Sequence, residues 1–92
     1  MNKNINIIRK KLDIIDTKLL NLFKKRTLLV DKVIQTKMFK NQIIDNKRIK
    51  IILSKIKKKS VSLNIDPRIT NSIWKAIIRS YINYEFRNFK KK

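Results

Sequence analysis

Residues 5–26 read INIIRKKLDIIDTKLLNLFKKR, and their apolar side chains recur every three or four positions. This spacing places the apolar side chains on one face of an α-helix. The face is formed by Ile5, Ile8, Leu12, Ile15, Leu19 and Leu22. The next position in the same series is Arg26, so the stretch predicts a long amphipathic helix with a permanent cation on its buried face.

The rest of the chain contains little that would interrupt a helix, because glycine is absent and the single proline is Pro67. Asp45 is a good N-cap for a second helix. Asp66 is an equally good cap for a third helix, in which Pro67 takes the first position. We therefore expect an all-α fold with three helices in a single domain of residues 1–92: about 4–37, 46–59 and 67–89.

The predicted helices differ in length. The first would extend over roughly 50 Å, the second over about 20 Å and the third over about 35 Å. The two shorter helices cannot cover the apolar face of the first, and burying that face is worth roughly 25 cal/mol per Å². We therefore expect a second copy of the chain to cover it, in an intertwined helical homodimer.

The chain is strongly basic, with 25 Lys and Arg against 6 Asp and Glu and a formal net charge of +19. Such a charge is typical of proteins that bind polyanions, so a basic helical nucleic-acid-binding protein is one alternative function. However, lysine, isoleucine and asparagine dominate the sequence, and the adenine- and thymine-rich codons of these residues explain the charge about as well. The lysines are spread over all three helices and no nucleic-acid-binding motif is present, which makes a nucleic-acid partner an unfavoured interpretation.

Several kinds of chemistry are excluded because the chain has no cysteine and no histidine. Disulfides, thiolate nucleophiles, imidazole catalysis and the usual transition-metal ligands are all absent. We therefore expect neither a metal nor a cofactor. No apolar run approaches the roughly 18 residues of a membrane span, and the N-terminus lacks a signal-peptide core, so we expect a cytoplasmic protein without a membrane partner.

Arg26 and Lys37 are candidates for binding an anion. They are eleven residues apart, which on an ideal helix is three turns plus about 20° and a rise of roughly 16 Å. On a shared face they could hold a small dicarboxylate, the arginine by a bidentate contact and the lysine as a point charge. The alternatives are a buried ion pair of Arg26 with an aspartate and a solvated Lys37 at the helix end.

Arg9 precedes Arg26 by seventeen residues, or roughly 25 Å along the helix, too far for both to bind one ligand in one chain. In an antiparallel pair of first helices, Arg9 of one chain could approach Arg26 of the other. The alternative is an intrahelical contact of Arg9 with Asp13 or Asp16.

Glu85 is the only glutamate, and it shares the apolar face of the third helix with Trp74 and Tyr81. Protonated, it could donate a hydrogen bond; ionised, it could act as a base or pair with Lys37. It could equally be the partner of an interior arginine. Arg48, near the start of the second helix, could reach the same site as Glu85. Trp74 and Tyr81 are more typical of core aromatic residues.

Taken together, these residues resemble the all-helical AroQ-class chorismate mutases, from residue 8 to residue 89. The similarity is carried by residues 8–16, Leu19, Leu20, Lys25, Arg26, Lys37, Asp45, Arg48 and residues 65–85. The short second loop and the C-terminal segment from Asp66-Pro67 to Tyr84-Glu85-Phe86 look most like the small stand-alone branch of this family. That branch also includes isochorismate-pyruvate lyases of salicylate biosynthesis.

The resemblance implies an enzyme that rearranges chorismate to prephenate in aromatic amino-acid biosynthesis (the shikimate pathway), without metal or cofactor. It also implies a homodimer with two sites, each taking Arg9 from the other subunit. Arg9 and Arg26 would hold the two carboxylates of the substrate, and Arg48 would line the pocket. Lys37 and Glu85 would flank the ether oxygen, and a glutamate there must be protonated to donate to it.

Two positions depart from the family pattern. Ile49 follows Arg48 where many relatives have a glutamate that contacts the ring hydroxyl, so Asp45 or a backbone group would have to make that contact. Tyr81 stands where a small polar residue is common and would line the substrate site. Because lyase relatives show similar changes, isochorismate-pyruvate lyase activity is the alternative within the family.

Overall fold

The computed structural model describes residues 3–90. Within them the chain forms three α-helices, and a short 3-10 helix, Lys40–Gln42, lies between the first two. The α-helices are α1, Lys3–Thr36; α2, Asn46–Ser62; and α3, Pro67–Asn88. The predicted all-α fold with a long first helix is confirmed. Residues 91 and 92 of the predicted lysine tail lie outside the described residues.

The chain divides into two compact units, and the division falls inside α1, between Lys32 and Val33. In the first unit most apolar side chains of α1 are exposed; Ile8, for example, is 56% exposed and Leu12 52%. Val30 is the buried hydrophobic residue of this unit among those described. The first unit therefore presents an amphipathic helix whose apolar face remains open in the single chain.

In the second unit α2 packs against α3. Ile34, Ile43 and Phe89 are its buried hydrophobic residues. Two buried hydroxyl groups also join the helices, because Ser60 Oγ and Thr70 Oγ1 are 2.7 Å apart and hydrogen-bonded. A hydrogen bond between buried groups fixes their relative position, so this pair sets the register of α2 against α3.

The two aspartates predicted to cap helices do so. Asp45 accepts a hydrogen bond from the backbone N–H of Arg48 at 3.0 Å, at the start of α2. Asp66 accepts one from the backbone N–H of Arg68 at 2.9 Å, and Pro67 occupies the first turn of α3. Each carboxylate satisfies a backbone donor that has no partner within its helix, which fixes where α2 and α3 begin.

The C-terminus of α2 lies at Ser62, three residues beyond the predicted end at Lys59. Its end is formed by Asn64, which has a positive φ of 57°. The N–H of Ile65 bonds to the carbonyl of Ser60 at 2.8 Å, and that of Asn64 to Val61 at 3.1 Å. This is the Schellman pattern, in which a left-handed residue satisfies the last carbonyls of a helix.

We expect Asn64→Ala to be less stable than Asn64→Gly by about 1 kcal/mol, because the left-handed conformation is strained for a residue with a Cβ atom. Asn71, exposed within α3, provides the matched control. There the order should reverse, since glycine in a helix interior is less favourable than alanine by about 1 kcal/mol. Urea unfolding at one fixed protein concentration measures both pairs. Equal stability of the two Asn64 variants would contradict the role of Asn64 in ending α2.

Candidate functional site

Lys37 and Glu85 form an ion pair in the second unit. The Nζ of Lys37 donates to Glu85 Oε1 at 3.0 Å, although the two residues are 48 positions apart in the chain. The same Nζ donates to the backbone carbonyl of Ile43 at 3.3 Å. The side chains of Lys37 and Glu85 are only 17% and 11% exposed, so their attraction is screened less than that of a surface pair.

Local structure explains how these two side chains meet. Lys37 is the first residue after α1, and its N–H still bonds to the carbonyl of Ile34 at 3.1 Å. Glu85 lies near the C-terminal end of α3, one turn after Tyr81. Its second oxygen, Oε2, has no hydrogen-bond partner within residues 3–90.

A cleft of about 450 Å³ adjoins Lys37. Its volume lies within the range of small-molecule sites, about 300–1,000 Å³. It is lined by Thr36, Lys37, Gln42, Ile44, Asp45 and Asn46. The structure thus brings Asp45 and Lys37 to the same cleft, although the carboxylate of Asp45 also caps α2.

Arg48 and Tyr81, two other predicted site residues, also belong to the second unit. Arg48 is exposed at the start of α2, and Ile49 next to it is half-buried. Tyr81 is half-buried and packs edge-to-face on Tyr84, with ring centroids 6.3 Å apart and an interplanar angle of 77°. This packing agrees with the interpretation of Tyr81 as a core aromatic residue.

Arg9 and Arg26 both belong to the first unit. Arg9 is exposed, and within residues 3–90 it makes no ion pair with Asp13 or Asp16. The alternative of an intrahelical contact for Arg9 is therefore wrong. Arg26 is half-buried and already interacts with other residues. Arg9 thus presents a cation without a counterion in the described part of the chain.

The sequence also matches a known protein family. The family model for chorismate mutase type II matches residues 8–86, which is most of the chain. The chain belongs to the type II chorismate mutase family. The resemblance found in the sequence is confirmed. No curated protein and no solved structure matches the chain significantly.

Chorismate mutases are isomerases, so the protein is an enzyme of that class and chorismate is the substrate that its family assigns. Chorismate carries two carboxylates and an ether oxygen that becomes negative during the rearrangement. A site for it needs cations and hydrogen-bond donors. Lys37 carries a cation with N–H donors of this kind.

A second cleft of about 500 Å³ lies between α2 and the start of α3. None of the residues predicted for the chorismate mutase site lines it. It is formed by Leu53, Ser54, Lys57, Pro67, Arg68 and Asn71. Pro67 and Glu85 are about 27 Å apart along α3, so this cleft is too remote to share a ligand with the ion pair.

Sequence reasoning missed two groups around the Lys37–Glu85 pair. One is the carbonyl of Ile43, which accepts from Lys37; a backbone group has no signature in the sequence. The other is Gln42, whose Oε1 accepts from the backbone N–H groups of Met38 and Phe39 at 2.7 and 3.0 Å. A glutamine inside a short polar connector was the only signal available for it.

The described residues contain no group of three or more His, Cys, Asp or Glu side chains that could hold a metal ion. A membrane-spanning segment is also missing from residues 3–90, since no helix there is both long enough and apolar enough.

Proposed function

We propose that the chain rearranges chorismate to prephenate at the Lys37–Glu85 pair. The observation that carries this proposal is a shielded ammonium–carboxyl pair, joined at 3.0 Å, in a chain that matches the family over residues 8–86. The reaction is concerted: the ether C–O bond breaks while a C–C bond forms. Catalysis then requires stabilisation of the charge that develops on the ether oxygen.

The geometry of the pair suits this task. Lys37 has three N–H donors, of which one is bonded to Glu85 and one to Ile43, so the third is left for the ether oxygen. A proton on Oε2 of Glu85 would give a second donor, while Oε1 continues to accept from Lys37. Donors that are already held in place cost little reorganisation during the reaction.

Binding of the two substrate carboxylates would be the task of Arg26 and of Arg9 of the partner subunit. Two guanidinium groups can fix both carboxylates and so select the compact diaxial conformer in which the bond-forming carbons are close. The exposure of Arg9, and its lack of an ion pair within residues 3–90, support this role.

A homodimer is part of the proposal. Its support is the open apolar face of α1, on which Leu12 and Ile15 are each 52% exposed. Large contiguous apolar surfaces are rare on monomers and mark interfaces. A second α1 would cover this face and bring in the second Arg9.

Arg48, Asp45 and Tyr81 would complete the substrate site. Arg48 would line the pocket, and Asp45, which borders the cleft beside Lys37, would reach the ring hydroxyl. Tyr81, one turn before Glu85, would bound the ring. Because enzymes of this family are normally cytoplasmic, we propose the same location for this one.

A second candidate activity is that of an isochorismate-pyruvate lyase, which the half-buried Ile49 favours. An isoleucine there cannot accept a hydrogen bond from the ring hydroxyl of chorismate, whereas isochorismate carries its hydroxyl elsewhere on the ring. Both reactions use the same cations, so the two activities differ mainly in how the ring is held.

We expect purified protein to convert chorismate to prephenate much faster than it converts isochorismate to salicylate and pyruvate. Each substrate should be supplied separately and its products followed by chromatography. A Lys37→Met variant purified in the same way controls for contaminating host enzymes, since it should lose nearly all of the activity. Faster turnover of isochorismate would favour the lyase, and turnover of neither substrate would refute both activities.

A further inference from the structure

The position of Lys37 depends on the connector between α1 and α2. Lys37 lies just outside α1, and its N–H donates to Ile34 at 3.1 Å as the last link to the helix. The next two residues, Met38 and Phe39, have left the helix. Something other than the hydrogen bonds of α1 must therefore fix the chain that follows Lys37.

Gln42 fixes this part of the connector. Its side-chain Oε1 accepts from the N–H of Met38 at 2.7 Å and from the N–H of Phe39 at 3.0 Å. Its own N–H donates to the carbonyl of Phe39 at 3.1 Å. Three hydrogen bonds thus join Gln42 to the two residues directly after Lys37, in a local side-chain-to-backbone turn.

The same turn also holds the ammonium end of Lys37. Ile43 follows Gln42, is only 3% exposed, and accepts from Lys37 Nζ through its carbonyl at 3.3 Å. The N–H of Ile43 bonds to Lys40 at 3.0 Å, which closes the turn. The turn therefore determines both where the Lys37 backbone leaves α1 and where its Nζ comes to rest.

We propose that Gln42 is a positioning residue for Lys37, acting through the turn of residues 38–43. This inference rests on the proposed function of Lys37. Gln42, Met38 and Phe39 are all exposed, so water can replace the bonds that Gln42 makes. Loss of the glutamine side chain should therefore affect the placement of Lys37 far more than the stability of the protein.

The first test is the rate of Gln42→Ala. We expect kcat for chorismate to fall by about tenfold to a hundredfold, as a displacement of about 1 Å in a catalytic group would cause. KM and the melting temperature should change much less. Gln42→Glu keeps an oxygen that can accept from Met38 and Phe39 and should recover most of the rate. Asn41→Ala is the matched control, because the Asn41 side chain makes no hydrogen bond within residues 3–90.

A double-mutant cycle separates positioning from a purely structural role. If Gln42 acts through Lys37, adding Gln42→Ala to Lys37→Met should lower the rate no further. A further loss equal to that of Gln42→Ala alone would overturn the proposal. So would a Gln42→Ala enzyme with the kcat of the wild type.

Crystal structures of the wild type and of Gln42→Ala test the same inference without relying on activity. The wild type should keep Lys37 Nζ within hydrogen-bond distance of Glu85, and the variant should show it displaced. An unmoved Lys37 in the variant would refute the role of Gln42 even if the enzyme is an active chorismate mutase. Wild-type protein inactive on chorismate would instead refute the proposed function and leave this structural comparison to decide on Gln42.

Discussion

Lys37→Met should lower kcat/KM for chorismate by about 10²–10³-fold, the usual cost of removing one preorganised donor from a developing oxyanion. Methionine keeps most of the length and volume of lysine but has no charge and no N–H donor. The variant should also be less stable, because the Glu85 side chain is only 11% exposed and would lose its ion-pair partner. Removing one member of a buried pair costs up to about 3–5 kcal/mol. Steady-state kinetics and urea unfolding measure the two effects.

Two further variants keep the effects on activity and stability apart. Lys40→Met makes the same charge change three residues later, at an exposed lysine without an ion pair in residues 3–90, and should leave the rate nearly unchanged. Lys37→Met combined with Glu85→Gln removes both charges of the pair, so stability should return while activity should not. A folded Lys37→Met enzyme with near wild-type kcat would remove Lys37 from the catalytic machinery.

The helices were predictable because their signals are local. A cap or a proline affects only the few residues around it. The structure uses Asp45 and Asp66 as N-caps and places Pro67 in the first turn of α3. The end of α2 was missed for a related reason. Glycine is the usual signal for a helix end, and here Asn64 takes the left-handed conformation in its place.

The candidate site was less accessible to sequence reasoning. The apolar face of α3 marked Glu85 as unusual, but its partner remained one of several possibilities until tertiary packing brought Lys37 to it. The bonds from Gln42 to the backbone of Met38 and Phe39 depend on the exact path of a short connector, which hydrophobic periodicity does not describe. The family resemblance supplied the remaining site residues, and their roles stay predictions.

A mixture of Arg9→Ala and Arg26→Ala chains should recover activity that neither variant has alone. In the proposed dimer each site uses Arg26 of its own subunit and Arg9 of the partner subunit. A mixed dimer then contains one site with both arginines and one site with neither. With random pairing, half of the dimers are mixed, so about a quarter of the wild-type sites should be restored. The two chains should be unfolded together, refolded and assayed for prephenate formation, and mass spectrometry should confirm the mixed dimers.

The matched control is a mixture of Arg26→Ala and Lys37→Met chains. Arg26 and Lys37 would belong to the same subunit's site, so each site of this mixed dimer lacks one of them and no activity should return. Recovery in the first mixture but not in the second would require a site that takes Arg9, and neither Arg26 nor Lys37, from across the interface. No recovery in confirmed Arg9→Ala and Arg26→Ala heterodimers would refute the sharing of Arg9. Recovery in both mixtures would instead show that each site takes Arg26 from one subunit and Lys37 from the other. Only then does the control mixture also contain an intact site.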